Sequence, residues 1–138
     1  MPAETGWLND AYDAFNRGEW DRSGEFMHDE VSWHFVEGVA PDAPEVLNGR
    51  EEIVEFWSTF LEAWEEWEMA PTGFVAASEE RIIVPIRFRA RGSGSGVPME
   101  LEFCQVLTLA GERIYRVDQY LSRGSAEEAC PPLEAADR

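Results

Sequence analysis

The stretch Met99–Arg123, MELEFCQVLTLAGERIYRVDQYLSR, decides the fold that the sequence predicts. Apolar and polar residues alternate on both sides of Ala110-Gly111-Glu112, which is typical of two β-strands joined by a tight turn. A few polar residues interrupt the apolar stripe near its middle. Because polar side chains are uncommon on a face that points into a core, these positions are candidates for a functional site.

Two independent criteria fix the register of the hairpin that precedes this stretch. With its turn centred near Gly94 and Ser95, opposite charges meet on one face, in the pairs Arg87 with Glu102 and Arg89 with Glu100. The same register pairs apolar residues on the other face, namely Ile86 with Phe103, Phe88 with Leu101 and Ala90 with Met99. Because cross-strand partners must match on both faces, we predict a hairpin over 81–91 and 97–109.

The following turn, taken as Ala110-Gly111, predicts where the polar residues lie. It gives three further pairs: Gln105 with Arg116, Phe103 with Asp118 and Leu101 with Tyr120. In this register Gln105, Arg116, Asp118 and Tyr120 share the apolar face with Phe88 and Phe103. A ligand pocket is expected on that face.

The rest of the chain predicts three helices and a lone strand, followed by a four-stranded meander. The first helix begins at Thr5 or Asn9 and ends at Gly18, the second is capped by Asp21, and the third follows Asn48-Gly49. The lone strand places Val31, Trp33 and Phe35 on one face, and an irregular, mobile loop is expected over 38–47. The meander is predicted over 66–77, 81–91, 97–109 and 113–122, with a helical turn over 126–129. This order is α+β, in a single domain over 1–138 whose tails are 1–5 and 131–138.

The charge of the chain limits its partners. Twenty-eight acidic residues against eleven basic ones give a formal net charge of −17, and all eleven bases are arginine. Such a surface repels nucleic acids and anionic membranes, so neither is expected as a partner. Two explanations of the composition stay open, namely adaptation to high salt and a codon bias towards arginine.

Location and cofactors are predicted from what the sequence lacks. No apolar run is long enough to cross a membrane and the first residues do not resemble a signal peptide, so a cytoplasmic location is expected. Cys104 and Cys130 are predicted to be free thiols. The glycines of Gly92–Gly96 suit a hairpin tip rather than a phosphate loop, and His28 and His34 do not have the spacing of a metal site. We therefore expect no cofactor and no metal.

Four segments give the chain a resemblance to a known superfamily. They are LNDAYDAFNRGEWD over 8–21, DEVSWHF over 29–35, LNGREEIVEFW over 47–57 and VLTLAGERIYRVDQYLSR over 106–123. The chain resembles the nuclear transport factor 2-like superfamily, in particular its SnoaL-like and ketosteroid-isomerase-like members. The resemblance implies a curved, mostly antiparallel sheet wrapped as a cone around three N-terminal helices, with a ligand cavity inside. It also implies a homodimer through the outer face of the sheet, which would carry Arg87, Arg89, Glu100 and Glu102.

The resemblance also implies a function. Members of this group include cofactor-independent isomerases, cyclases and dehydratases, which act by proton transfer, and non-catalytic binding or scaffold proteins. The general base of ketosteroid-isomerase-like enzymes aligns with Trp33 or His34, their oxyanion-hole acid with Gln105, and their tyrosine with Ala11 or Tyr12. Asp118 is the counterpart of the aspartate of SnoaL-like cyclases. Either function implies a small, largely apolar ligand.

Each candidate residue also has a structural interpretation. Asp118 is either a general base or the ion-pair partner of Arg116. His34 is either an acid–base group or, by alternation with Trp33, a residue of the opposite face. The other candidate ligand contacts are either binding residues or parts of the core, and they are Tyr12, Trp33, Trp57, Phe88, Phe103, Gln105, Arg116 and Tyr120.

Overall fold

Four helices and seven strands make up the computed structural model of the protein, which describes residues 6–37 and 44–132. The elements are α1 (Gly6–Asn16), α2 (Trp20–Glu25), β1 (Met27–Phe35), β2 (Val46–Asn48), α3 (Gly49–Leu61), β3 (Trp64–Pro71), β4 (Val75–Ala76), β5 (Arg81–Gly92), β6 (Pro98–Ala110), β7 (Arg113–Tyr120) and α4 (Arg123–Ala129). Parts of three predictions lie outside the described residues, namely a first helix beginning at Thr5, the mobile loop over 38–43, and the tails over 1–5 and 133–138. The end of the predicted loop is corrected, because Val46–Asn48 pairs with β1 as strand β2.

The strands form one sheet in the order β2-β1-β7-β6-β5-β3, with β4 also paired to β5. Only β1 and β7 run parallel among the described strands, and the other neighbours are antiparallel. The predicted fold class is confirmed: an α+β domain whose curved, mostly antiparallel sheet packs against three N-terminal helices. The fourth helix, α4, is longer than the predicted turn over 126–129.

The main core lies between helices α1 and α3 and one face of the sheet, which we call the inner face. The periodicity of α1 and α3 buries residues such as Leu8, Phe15, Ile53 and Trp57 against this face. Helix α4 packs against the opposite, outer face. There a smaller cluster buries Ile83, Cys104, Val106, Ala126 and Cys130. In the described part of the chain, no helix is both long and apolar enough to span a membrane.

The predicted hairpin of β5 and β6 is confirmed at every position that was paired from the sequence. Ile86, Phe88 and Ala90 lie opposite Phe103, Leu101 and Met99, and the two arginine–glutamate pairs have the predicted partners. On the outer face the nitrogen–oxygen distances are 3.5 Å from Arg87 to Glu100 and 3.3 Å from Arg89 to Glu100. Because these side chains are largely exposed, the pairs stabilise the fold by about 0–1 kcal/mol each.

The predicted pairing of β6 with β7 is wrong. Gln105 lies opposite Gln119 rather than Arg116, and Asp118 lies opposite Val106 rather than Phe103. Part of the error lies in the turn, which was predicted at Ala110-Gly111 and is formed by Gly111-Glu112, since Ala110 pairs with Arg113. Gly111 has a φ of 64°, a positive value that the first position of a type II′ turn requires. That change alone moves the register by two residues and leaves each side chain on its predicted face.

A β-bulge causes the change of face. Leu109 pairs with Ile114, but the next residue of β6, Thr108, pairs with Arg116, so Tyr115 is an extra residue of β7. Because a shift of one residue moves every later side chain to the opposite face, Val117 and Gln119 lie on the inner face. Both are buried, whereas Tyr115 is 41% exposed.

Candidate functional site

A small cavity lies between α1 and the inner face of the sheet. Its volume is about 40 Å³. Most of the side chains around it are apolar, and the lining consists of Ala11, Tyr12, Phe15, Ser23, Phe26, Met27, Trp33, Met69, Gln105, Leu107, Ile114 and Val117. The cavity therefore combines a mostly apolar wall with a few polar groups, as small-molecule sites do.

The size of the cavity limits what fits without movement. A water molecule needs roughly 10–15 Å³ of such space, so the cavity holds roughly three waters. A ring-sized ligand requires neighbouring side chains to move apart. Met27 and Met69, which lie in the wall, are the residues best able to do so, because an unbranched thioether side chain has several rotamers of similar energy.

A buried chain of hydrogen bonds begins at the wall of the cavity and continues behind it. The Tyr12 hydroxyl donates to Gln105 Oε1 at 2.7 Å, and Gln105 Nε2 donates to Gln119 Oε1 at 3.2 Å. Gln105 Nε2 also lies 3.9 Å from Met69 Sδ. Because both glutamines are only 1% exposed, bulk solvent does not compete for these bonds, and the three side chains hold one another in place.

Several buried N–H groups near the cavity have no acceptor in the described part of the chain. Gln119 Nε2 and the indole Nε1 atoms of Trp33 and Trp57 have no hydrogen-bond partner among the described residues. Trp33 lines the cavity, and its ring centroid lies 5.3 Å from that of Trp57. The indole N–H groups of Trp7 and Trp64, which do not line the cavity, also lack a partner among the described residues, so Trp33 is distinguished by its place in the cavity wall. Because buried donors in folded proteins are nearly always paired, a ligand or water in the cavity that accepts a hydrogen bond would suit Trp33.

Tyr12 is an uncharged group at neutral pH. Burial raises the pKa of Tyr12 well above its ordinary value of 10, and the Cys104 thiol raises it further. The phenol therefore acts as a hydrogen-bonding group and not as a phenolate base. No carboxylate and no imidazole occurs among the described residues that line the cavity.

The structure separates the predicted site residues into three groups. Tyr12, Trp33 and Gln105 line the cavity. Trp57, Phe88 and Phe103 are buried in the core on the inner face but do not line it. The remaining predicted residues, His34, Arg116, Asp118 and Tyr120, lie on the outer face, so the prediction that Arg116, Asp118 and Tyr120 share a face with Gln105 is wrong.

Asp118 is held on the outer face by Arg116. Arg116 Nε lies 3.1 Å from both carboxylate oxygens of Asp118, and Arg116 Nη2 lies 3.0 Å from Oδ1. The Asp118 side chain is 16% exposed and that of Arg116 is 46% exposed. The physical reason for the correction is the extra residue at Tyr115, which turns Asp118 away from the cavity.

His34 lies beside this ion pair, as the alternation of β1 predicts. Its Nε2 is 2.9 Å from Ser32 Oγ, and its backbone neighbours Asp118 on β7. Partial burial lowers the pKa of His34, the positive charge of Arg116 lowers it further, and Asp118 opposes both effects. His34 is therefore more often neutral than an exposed histidine at the same pH.

Tyr120 contacts the cluster under α4. Its side chain packs against the group that contains Cys104 and Cys130. Burial raises the pKa of Tyr120, and the negative charge of Asp118 adds to the rise. The tyrosine thus serves the packing of the outer face.

Sequence reasoning missed Gln119 and Val117. The sequence contains a signal for the face on which both lie. Ile114 and Val117 are apolar residues three positions apart, and a regular strand would place them on opposite faces. Ile114 and Val117 nevertheless both line the cavity. An apolar pair at this spacing favours a bulge between them, and with the bulge Gln119 joins Gln105.

Comparison with known proteins gives the family of the chain. The family model of the SnoaL-like domain matches residues 8–117. No curated protein matches the chain in sequence.

Solved structures share the fold at low sequence identity. TerC, co-crystallised with polyporic acid, is 20% identical with a TM-score of 0.71, covering 88% of this chain and 92% of its own. An NTF2-like protein of unknown function from Burkholderia pseudomallei is 21% identical with a TM-score of 0.71, covering 90% and 94%. A ketosteroid-isomerase-like protein from Catenulispora acidiphila, in complex with trimethylamine, is 16% identical with a TM-score of 0.71, covering 95% and 96%. Because the family model matches most of the length of this chain, the chain belongs to the SnoaL-like domain family.

Proposed function

We propose that the protein binds a small, neutral, largely apolar molecule that carries at least one hydrogen-bond acceptor, in the cavity between α1 and the sheet. The observation that carries the proposal is the hydrogen-bonded pair of Tyr12 and Gln105 in a mostly apolar wall, with Gln119 bonded to Gln105 behind it. The unpartnered indole N–H of Trp33 adds a donor at the same wall. A carbonyl or ether oxygen is the kind of group that would satisfy it.

The ligand is expected to be uncharged. Tyr12 is the only ionisable side chain among the described residues of the lining, and burial keeps it protonated. An ionised ligand would lose its hydration without gaining an opposite charge, which is strongly unfavourable. The net charge of −17 also disfavours the approach of anions to the molecule.

Binding is better supported than proton-transfer catalysis. An isomerase, cyclase or dehydratase of this kind needs a base within hydrogen-bond reach of the substrate. Asp118, predicted for that role, is paired with Arg116 on the outer face, and the lining offers no other carboxylate among the described residues. We therefore propose ligand binding as the function, with the donors of the cavity as its recognition groups.

Filling the cavity tests this proposal. Ala11→Val adds two methyl groups to the wall and is expected to weaken binding of cyclopentanone at least about tenfold, since the added volume competes with the ligand. Affinity is measured by titration followed by NMR. Ala63→Val, at an exposed position away from the cavity, is the matched control and is expected to leave affinity unchanged. Equal affinity of the two variants would place binding elsewhere.

We also propose that a second copy of the chain binds the outer face near Arg87, Arg89, Glu100 and Glu102. These residues alternate in sign across β5 and β6, so a copy related by a two-fold axis can set arginines against glutamates. Sedimentation equilibrium of the wild type is expected to give a dimer. The double variant Arg87→Glu/Arg89→Glu makes the patch wholly acidic and is expected to give a monomer; a monomeric wild type would contradict the proposal.

A further inference from the structure

We infer that Gln119, which does not line the cavity, determines whether the cavity binds a ligand that donates a hydrogen bond to Tyr12 or one that accepts a hydrogen bond from it. The inference rests on the proposed binding function and concerns how that site chooses its ligand. Its basis is the order of donors and acceptors along the Tyr12–Gln105–Gln119 chain and the unpartnered amide nitrogen at its end.

In the observed arrangement the chain runs from Tyr12 towards Gln119. The hydroxyl hydrogen of Tyr12 is used by Gln105 Oε1, so only the lone pairs of the Tyr12 oxygen remain for a ligand. A ligand can therefore donate a hydrogen bond to Tyr12 but cannot receive one from it. Gln119 Nε2, at the far end, is buried and has no acceptor among residues 6–37 and 44–132.

Rotation of both amide groups reverses the chain. The oxygen and nitrogen of a glutamine amide are nearly equal in size, so a half-turn exchanges them without altering the packing. Gln119 Nε2 then donates to Gln105 Oε1, and Gln105 Nε2 donates to the Tyr12 oxygen. The hydroxyl hydrogen of Tyr12 is released and can be donated to a ligand.

The two arrangements are closely balanced. Each contains two strong hydrogen bonds between the three side chains. The observed one adds the weak contact of Gln105 Nε2 with Met69 Sδ but leaves a buried N–H unpaired. The reversed one leaves a carbonyl oxygen of Gln119 unpaired, which is the more readily tolerated of the two. A ligand with a differential preference can thus decide the direction of the chain.

Gln119 makes both arrangements of the hydrogen bonds possible. Its amide group, at the end of the series Tyr12–Gln105–Gln119, can either accept a hydrogen bond from Gln105 or donate one to it. A ketone would select the reversed arrangement, and an alcohol, which can donate, is compatible with the observed one. Gln119 is therefore a positioning residue that acts on the ligand through Gln105 and Tyr12.

A pair of probes of equal size tests the inference. Cyclopentanone only accepts hydrogen bonds, whereas cyclopentanol can also donate. In Gln119→Met the introduced thioether sulfur can accept weakly from Gln105 Nε2, as Met69 Sδ does, but it cannot donate to Gln105 Oε1. The observed arrangement therefore keeps a partner at both Gln105 atoms and the reversed one does not, so the Tyr12 hydroxyl stays bonded to Gln105 and is not free to donate to a ligand. We expect the affinity for cyclopentanone to fall about tenfold, the effect of one hydrogen bond, and that for cyclopentanol to change less than about twofold.

Asp118→Asn is the matched control, because it changes the adjacent residue of β7 on the outer face. It is expected to leave both affinities unchanged. An equal loss for the two probes in Gln119→Met, or no loss for either, would overturn the inference while leaving the binding function standing. If neither probe binds the wild type, the proposed function itself fails and the inference falls with it.

A measurement on the wild type removes any dependence on how well the variant folds. The chain has two glutamines, so selective ¹⁵N labelling of their side chains gives two pairs of amide signals. Cyclopentanone is expected to move the Gln119 amide protons downfield, since they gain Gln105 Oε1 as an acceptor, and cyclopentanol is not. The same response to both probes would contradict the reversal.

Discussion

Deletion of Tyr115 is expected to leave the protein folded, whereas deletion of Asp118, three residues later on the same strand, is expected to prevent cooperative folding. Tyr115 is the extra residue of the bulge, so its removal gives a regular strand in which Val117 still lies opposite Leu107 and Gln119 opposite Gln105. The expected loss is about 1 kcal/mol, the order of the edge-on contact between the Tyr115 and His28 rings.

Deletion of Asp118 does not give a strand in which every side chain keeps its face. If the bulge is kept, Gln119 moves to the outer face and Tyr120 takes its place in the core. If the bulge is lost instead, Gln119 stays inside but Arg116 is brought opposite Leu107, where its charge is buried without a partner. Either outcome is expected to cost more than about 4 kcal/mol, which is exceptional for a single change.

Urea unfolding followed by circular dichroism measures both deletions. The comparison is internally controlled, because each variant lacks one residue of β7 and leaves the turn and the other strands unaltered. Similar losses of stability in the two variants would contradict the assignment of Tyr115 as the extra residue.

Replacing Gln105 with leucine is expected to lower the free energy of unfolding by about 3 kcal/mol. The change leaves the Tyr12 hydroxyl and the Gln119 amide buried without partners, at about 1–3 kcal/mol for each group. Leucine recovers part of this loss by its own burial. The melting temperature measured by calorimetry is expected to fall accordingly.

The loss of unfolding free energy in Gln105→Leu is expected to become smaller when the groups left without hydrogen-bond partners are also replaced. Gln105→Leu/Gln119→Leu is expected to be more stable than Gln105→Leu by about 1 kcal/mol, because one unpaired amide disappears. Adding Tyr12→Phe removes the second unpaired group and is expected to raise stability again. If the loss of unfolding free energy in each multiple variant equals the sum of the losses in its single variants, the three side chains do not act as one network.

The sequence constrains the register of one hairpin more strongly than that of the other, for a physical reason. In β5 and β6, charges had to match on one face and apolar residues on the other, so a wrong register would have violated both conditions at once. Arg87, Arg89, Glu100 and Glu102 are all paired as that argument requires. The helices α1 and α3 were predictable in the same way, because a stripe of apolar residues at helical spacing has one plausible partner, the inner face of the sheet.

The pairing of β7 offered no such redundancy. Arg116, Asp118 and Tyr120 alternate with Val117 and Gln119, and a polar residue occurs in each set, so pattern alone does not decide which set is buried. The bulge that decides it occurs at a tyrosine, without the glycine that often marks such a site. Tyr12, Trp33 and Gln105 lie on α1, β1 and β6, so the bulge of β7 does not change the face on which they lie, and all three line the cavity.

The most direct test of the account is a titration of ¹⁵N-labelled protein with cyclopentanone, followed at the indole N–H signals of the six tryptophans. Trp33 lines the cavity and has an unpartnered N–H, whereas Trp20 and Trp67 line an open groove on the surface and serve as controls. If the ligand binds in the cavity, the Trp33 signal shows a saturable downfield shift and those of Trp20 and Trp67 do not move. A saturable shift at the groove tryptophans without one at Trp33, or no saturable shift at all, would contradict binding in the cavity.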